Sequence, residues 1–369
     1  MVTDQKKPEH DLLKMDYYVP AFEIYVKGKK NGKTIEPELK KDIINVSYTD
    51  SLDAIDSFSI TVSNWDEKKC TLKHTDFDNE QFTVGTELEI RMGYAGKLQT
   101  MIYGEITTLE PDFPPSGYPT LDVRGLNVLH KLRGKQETHF YKNLTDKQIA
   151  RQIAGRLQLE IGNIEGDQKR DFLVQDNRYD IVFLMERARR IDFEVMVDGE
   201  GKLYFQPSTM QQNKGYVLEW GKSLISFRPT LTTISQVGEV IVKGWDPGSK
   251  KTITGKARRQ DIETKGVGTE KMKKMKGAFE NRTEIIVNKP IRSREEANKM
   301  ARDKLEQAAK ELVKGEGTTI GLPDLRAGRL IEINKLGETF SGRYFVMGTT
   351  HSIGDGGYTT KFSVRREET

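Results

Sequence analysis

An ordered series of short sequence patterns occurs twice in this chain of 369 residues, once in each half. Each copy has a Gly-led alternating stretch, then a Thr-Thr pair, then a Gly-Tyr stretch with alternating apolar residues. The two copies are 85–90 (GTELEI), Thr107-Thr108 and 117–124 (GYPTLDVR), and then 328–333 (GRLIEI), Thr349-Thr350 and 357–365 (GYTTKFSVR). The order is the same, and the second copy needs one extra residue, Lys361. Chance is the alternative, because all strands share alternation. We prefer a repeat, which predicts two copies of one β domain.

The segment from Tyr17 to about Arg133 has the pattern of antiparallel β structure. Residues 57–63 (SFSITVS) alternate strictly between apolar and polar, which places every second side chain on the same face of a strand. Turn signals such as Asn31-Gly32 and 114–117 (PPSG) separate the alternating stretches. Short strands joined by Gly and Pro turns predict a β-barrel or sandwich.

The middle of the chain changes to a helical period. Thr145 and Gln148 form the sequence pattern of a capping box, so a helix is expected to begin there. A second helix is expected from near Asp180. Its apolar residues define one face, and Arg187, Arg189 and Arg190 are assigned to the solvent side. A hairpin pattern follows, and residues 134–219 therefore predict a small α+β domain.

Strands resume near Ser226, and a third helix is expected over 293–313. Ser293 and Glu296 form its capping box, and Gly315 is expected to stop it. The predicted fold class is mainly β with α+β: two similar antiparallel β-barrel (tube-like) domains flank a small α+β domain. The predicted division is a 1–16 N-terminal extension, a 17–133 first β-barrel domain, a 134–219 α+β domain, and a 220–369 second β-barrel domain with an inserted basic loop (250–276) and helix (293–313).

Positive charge is concentrated in one segment. Residues 250–276 carry ten Lys and Arg against three Asp and Glu, a net +7, so the rest of the chain is −3 within a total of +4. A solvated loop is the preferred interpretation, and a salt-sensitive contact with an acidic partner or cargo surface is the alternative. The candidate partner-binding residues are Lys250, Lys251, Lys256, Arg258, Arg259, Lys271, Lys273, Lys274 and Lys276. Nucleic acid is not an expected partner, because aromatic residues are not interleaved with these cations.

The sequence predicts no catalytic, cofactor-binding or metal-binding residues, and therefore no enzyme. The five histidines form neither an H-E-x-x-H motif nor a close pair, and the single cysteine, Cys70, cannot build a Cys-rich zinc site. His351 is expected to have a structural role at a strand end. The first 16 residues lack an apolar core, so neither a signal peptide nor a membrane anchor is predicted. Synthesis in the bacterial cytoplasm is expected.

Two further stretches resemble a known family. Residues 179–190 (YDIVFLMERARR), with the hairpin that follows them, resemble the middle domain of the phage late control D family. Residues 321–328 (GLPDLRAG), with 342–346 (GRYFV), His351 and 357–360 (GYTT), resemble its C-terminal end. The similarity extends from about Tyr17 to Arg366. The family includes the baseplate hubs of contractile phages and the N-terminal hub module of the VgrG spike of type VI secretion.

The resemblance implies a structural hub in the baseplate of a contractile phage-tail-like particle. Such a hub is a homotrimer that adapts the six-fold inner tube to the three-fold spike, and it also contacts other baseplate proteins. This chain ends at Thr369 without the β-helical needle of VgrG-type proteins, so the spike is expected to be a separate protein. The alternative function is a hub with an unrecognised cell-wall hydrolase or nucleic-acid-binding role.

Overall fold

The computed structural model describes residues 19–26, 33–35, 37–52, 54–74, 82–127, 130, 133, 135–156, 158–191, 193–197, 202–207, 216–246, 250–259, 279–287, 291 and 293–366. The predicted N-terminal extension, 1–16, lies outside these residues.

In the described residues up to Asn127, the first β unit contains nine strands and a short helix. They are β1 (Pro20–Val26), β2 (Lys33–Thr34), α1 (Pro37–Asp42), β3 (Ile43–Ser51), β4 (Ser57–Ser63), β5 (Trp65–Asp66), β6 (Thr71–Leu72), β7 (Glu87–Tyr94), β8 (Lys97–Asp112) and β9 (Thr120–Asn127). In β4 the apolar residues Phe58, Ile60 and Val62 are buried and the Ser and Thr residues between them are half-buried. The alternation in the sequence therefore sets which face of the strand packs into the core.

A small α+β domain follows. It contains β10 (Gln136–Thr145), α2 (Asp146–Arg156), β11 (Ile161–Ile164), β12 (Lys169–Tyr179), α3 (Asp180–Arg190), β13 (Phe193–Val197) and β14 (Leu203–Pro207). The predicted capping box at α2 is confirmed in both directions. The Gln148 backbone N–H donates to Thr145 Oγ1 over 3.2 Å, and the Thr145 N–H donates to Gln148 Oε1 over 2.9 Å. Two N–H groups that the helix itself cannot satisfy thus find acceptors.

The rest of the chain forms the second β unit and an insert. The elements are β15 (Tyr216–Glu219), β16 (Leu224–Leu231), β17 (Glu239–Asp246), β18 (Lys251–Arg258), β19 (Thr283–Ile286), α4 (Arg294–Lys310), β20 (Val313–Ile320), β21 (Leu330–Asn334), α5 (Gly337–Phe340), β22 (Gly342–Gly354) and β23 (Gly357–Arg366). We call β15, β16 and β20 to β23 the second β unit. Residues 232–312, which lie between β16 and β20, are the insert.

The two β units share one strand order. The hydrogen-bonded order is β3-β4-β9-β8-β7-β1 in the first unit and β16-β20-β23-β22-β21-β15 in the second. The repeated sequence patterns fall on equivalent strands, since β7, β8 and β9 correspond to β21, β22 and β23. One difference is that β1 is antiparallel to β7, whereas β15 is parallel to β21. The predicted fold class, mainly β with two similar units flanking an α+β domain, is confirmed.

Pairing of β22 with β3 joins the two units into one sheet, which has 13 strands among the described residues. Residues 46–51 of β3 run antiparallel to 348–353 of β22. The core of the first unit also includes Ile353 and Tyr358, which belong to the C-terminal hairpin. The two units are therefore one continuous structure, in which the end of the chain completes the core of its beginning.

The insert is a three-stranded sheet, in the order β18-β17-β19, with α4 packed on one face. Its core includes Val240, Val242 and Ala301. The prediction of a loop over the whole of 250–276 is therefore wrong for 251–258, which form β18. Ile253 and Ala257 alternate with polar residues there and pack towards α4, which supplies the apolar contact that a solvated loop would lack.

The third predicted helix is present but shorter than expected. It ends at Lys310 instead of residue 313, and the Glu296 N–H donates to Ser293 Oγ over 3.1 Å at its start, as the capping pattern predicts. The prediction that Gly315 stops this helix is wrong, because Gly315 lies in β20. A Cβ at this position would lie 2.5 Å from the Phe227 ring. The glycine thus serves close packing between strands.

Candidate functional site at the junction of the two β units

The loop between β20 and β21, residues 321–328, is anchored on the first β unit. The Tyr94 hydroxyl donates to the Gly321 carbonyl oxygen over 3.0 Å, and the Ala327 N–H donates to Asp50 Oδ2 over 2.7 Å. The Arg326 guanidinium lies 4.5 Å from the centre of the Tyr48 ring. This loop is one of the two stretches on which the family resemblance rests, and its side chains form a joint between the units.

His351 lies at the centre of this joint. It is 0% exposed and lies inside β22, so the expectation that it sits at a strand end is wrong. Its Nε2 is 3.0 Å from the Leu325 carbonyl oxygen, and its Nδ1 is 3.0 Å from the Tyr358 hydroxyl. Because a carbonyl oxygen only accepts, we assign the proton of the neutral ring to Nε2, and Nδ1 accepts from Tyr358. The expected structural role agrees with this geometry.

The acidic groups of the joint have raised pKa values. Burial raises the pKa of Asp50, against the opposing effect of the Arg326 charge and of hydrogen bonds from Thr349 and Ala327. Burial, with the nearby Asp50 charge, raises the pKa of Asp56 to about 8. Both effects follow from the cost of placing a carboxylate in a medium of low polarity.

Burial also favours the neutral forms of His351 and Tyr48. Burial, and then the positive charge of Arg326, holds the pKa of His351 well below its usual range. Burial also raises the pKa of Tyr48 well above its usual value. The histidine and the tyrosine are therefore neutral at pH 7. Because the group is enclosed, we regard it as a structural network that fixes the angle between the units.

The second family stretch contributes ion pairs to the α+β domain. Arg187 Nη2 lies 2.6 Å from Asp146 Oδ1, and both side chains are almost fully buried. Arg156 Nη2 lies 2.6 Å from Asp180 Oδ1. The assignment of Arg187 to the solvent side is therefore wrong: its charge is neutralised by a carboxylate on α2, which the sequence period of α3 alone could not indicate. The side chains of Arg189 and Arg190 lie outside the described residues.

The candidate partner-binding residues differ in their exposure. Lys250, Lys251, Lys256 and Arg258 are exposed, and Arg258 Nε is 2.9 Å from Glu239 Oε1. Arg259 is buried, donates to Gln236 Oε1 over 2.9 Å and lies 5.4 Å from the centre of the Phe279 ring. Burial lowers the pKa of Arg259, so this residue belongs to the insert's interior. Lys271, Lys273, Lys274 and Lys276 lie outside the described residues.

Three exposed apolar patches escaped the sequence analysis. The hairpin tip contains Phe113 and Tyr118 between β8 and β9. The ribbon face contains Phe140, Phe172 and Val174 on the outer side of β10 and β12. The insert face contains Trp245, Ile285 and Val287 on the side of the insert sheet opposite α4. Their only signal in the sequence is a large apolar residue at a position that alternation assigns to solvent. Such patches commonly mark interaction surfaces.

The described part of the chain contains no helix long and apolar enough to cross a membrane. Within the same ranges, no group of three or more His, Cys, Asp or Glu side chains is arranged to hold a metal ion.

The fold is that of bacteriophage tail proteins and their relatives. A 43 kDa tail protein of prophage MuSo2 from Shewanella oneidensis superposes with a TM-score of 0.73 at 17% identity, over 94% of this chain and 98% of that one. A tail protein from Neisseria meningitidis MC58 has a TM-score of 0.67 at 13% identity, over 95% and 97%. An Escherichia coli component of the type VI secretion system has a TM-score of 0.54 at 13% identity, over 92% and 76%.

A family model, the Alg8 N-terminal domain, matches residues 21–355. The chain therefore belongs to the Alg8 N-terminal domain family. The resemblance to the late control D family is supported at the level of fold, because the structural neighbours are tail and type VI secretion proteins. A search of curated proteins by sequence gives no match.

Proposed function

We propose that this protein is a structural hub in the baseplate of a contractile phage-tail-like particle. The observation that carries the proposal is the presence of two β units with the same strand order in one chain, in a fold shared over 94% of the chain with a tail protein. Two copies of one unit in a chain allow a three-fold assembly to present six similar surfaces. Such a duplication is useful to an assembly in which two symmetries have to meet.

The proposed assembly is a homotrimer. Three copies present six β units, which can stack on the six subunits of an inner tube protein. The α+β domain occurs once per chain, so three copies keep the three-fold order that a separate spike protein requires. Other baseplate proteins would contact the outer surface. The exposed apolar patches support a role in assembly, since three occur on the described surface of one chain.

In this proposal the hub has a mechanical role and no catalytic one. Contraction drives a tube through a barrier, and the hub must keep its two β units at a fixed angle under load. The buried joint around Asp50, Arg326 and His351 serves that need, because Asp50 on β3 and His351 on β22 both hydrogen-bond to the backbone of the 321–328 loop. The chain would be made in the bacterial cytoplasm and then become part of the particle.

Native mass spectrometry of the purified protein, and of purified particles, tests the proposal. We expect three copies per hub, and electron microscopy of the particle should show six β units in a ring below the tube. A monomeric chain inside an assembled particle would overturn the trimer. Intact, contractile particles from cells that lack the gene would overturn the role as a hub.

A further inference from the structure

The insert face combines exposed apolar side chains with positive charge. Val240, Val242 and Ala257 point towards α4, so alternate residues point outward. The outward residues of β17 include Lys243 and Trp245, and β18 adds Lys256, which pairs with Ile241. Trp245 is 57% exposed, Lys243 and Lys256 are exposed, and Ile285 on β19 is 53% exposed. The acidic Glu239 on this face is already paired with Arg258.

The hairpin tip of the first β unit has the complementary character. The sequence from 98 to 123 contains four acidic residues and neither Lys nor Arg. At the tip Glu110 and Asp112 are exposed, and Phe113 and Tyr118 are 58% and 59% exposed. An acidic hairpin that carries two aromatic rings thus projects from the first β unit, while a basic sheet face with a tryptophan lies on the insert.

We propose that the hairpin tip of one copy of this chain docks on the insert face of the next copy. This inference rests on the homotrimer proposed above and names the contact that holds it together. The surfaces differ from each other, so the contact is head-to-tail, and a head-to-tail contact with a 120° rotation closes into a ring of three. The occupant is a second copy because the complementary surface is present on the same chain.

Both components of the contact have a defined role. Phe113 and Tyr118 supply aromatic area against Trp245 and Ile285, and aromatic residues at the centre of an interface give most of the binding energy. Asp112 and Glu110 face Lys243 and Lys256, and such charge complementarity fixes register and speeds association. Glu110 is also paired with Arg124 in its own chain, at 2.9 Å, so Asp112 is the better acidic residue for substitution.

Charge reversal with rescue tests the contact. Asp112→Lys and Lys243→Glu are each expected to raise the dissociation constant of the trimer about tenfold or more at 150 mM salt, and the double variant should recover most of the loss. The matched control is Lys299→Glu, because Lys299 is exposed on α4, on the opposite side of the insert. Trp245→Ser should weaken the trimer by a factor that does not change with salt concentration. Mass is measured by analytical ultracentrifugation, and circular dichroism melting checks that each variant is folded.

The outcomes are distinguishable. A trimer that persists unchanged in folded Asp112→Lys and Lys243→Glu variants overturns the contact and leaves the hub proposal standing. Single variants that weaken the trimer with no recovery in the double variant overturn the pairing of these two surfaces. A monomeric wild-type protein overturns the proposed trimer itself. Loss of single-stranded DNA retention in Lys243→Glu, with the trimer unchanged, would assign the insert face to nucleic acid and overturn the proposal.

Discussion

The carboxylate of Asp50 on β3 accepts a hydrogen bond of 2.7 Å from the backbone N–H of Ala327, a residue 277 positions further along the chain. The same carboxylate accepts from the Thr349 hydroxyl on β22. One buried side chain of the first β unit therefore satisfies donors from a loop and from a strand of the second unit. The joint between the units depends on this carboxylate.

Replacement of Asp50 by alanine should strongly destabilise the protein. The Ala327 N–H and the Thr349 hydroxyl would lose their acceptor, and Arg326 would lose a nearby negative charge. We expect a cost of about 2–5 kcal/mol in the free energy of unfolding, measured in urea. Asp355→Ala is the control, since Asp355 lies exposed in the turn between β22 and β23, and it should cost less than about 0.5 kcal/mol. Similar values for both variants would contradict the proposed role of the joint.

His351 should make stability depend on acid. Its pKa in the folded protein is well below the ordinary 6.5, so below that pH the unfolded chain binds a proton that the folded chain does not. Stability from this group is complete above about pH 6.5 and is lost as the pH falls. His351→Gln should lower the free energy of unfolding at pH 7. The variant should lose less stability than wild type on acidification, so the difference in stability between the two proteins should narrow at pH 5. A constant gap in urea unfolding would refute this, and His139→Gln, on the partly exposed β10, is the control.

Asp56 should act in the opposite direction. Its folded pKa of about 8 exceeds the ordinary 3.8, so the folded protein binds the extra proton, and this contribution is lost as the pH rises from about 4 through 8. Asp56→Asn keeps an acceptor oxygen for Tyr48 without the charge. The variant should therefore match wild type near pH 4 and exceed it by several kcal/mol at pH 8.5. Thermal melting across this range checks it, and equal slopes for both proteins would count against a buried, protonated Asp56.

The ion pairs made by α3 should contribute to stability according to how deeply they are buried. Arg187→Met leaves the buried Asp146 with one arginine partner fewer, and we expect a cost of about 3 kcal/mol or more. The matched control is Arg178→Met, because Arg178 pairs with Glu186 at the surface, where a pair contributes less than about 1 kcal/mol. Urea unfolding of both variants compares the two, and an equal cost would show that Arg187 is better solvated than its burial indicates.

The sequence predicted those features that depend on neighbours along the chain. Alternation identified β4, the Thr145 pattern identified the start of α2, and the repeated series anticipated the common strand order of the two units. Features that depend on residues far apart in the sequence could not be predicted from it. The strand at 251–258 was missed because its Lys and Arg residues obscure the two apolar positions that meet α4. Arg187 was assigned to the wrong side of its helix because its partner, Asp146, lies on another helix.

Nothing in the sequence indicated the joint itself. Tyr48 and Asp50 are spaced as ordinary strand residues, Asp56 lies just before β4, and the eight residues of the 321–328 loop have no regular period. The network exists only when β3 and β22 lie side by side, and that pairing is a property of the whole sheet. The hairpin tip and the insert face could not be predicted from the sequence either, because their complementarity depends on which of their side chains are exposed.

The pairing of β3 with β22 also governs the order in which the chain can fold during synthesis. The core of the first β unit includes Ile353 and Tyr358, which leave the ribosome roughly 300 residues after β3. At about 5–20 residues per second, this is a delay of about 15–60 s. Throughout that time β3 presents an open edge to other nascent chains, and an open edge invites strand exchange. Ser47, Thr49 and Ser51 make one face of this edge strand polar until the C-terminal hairpin pairs with it.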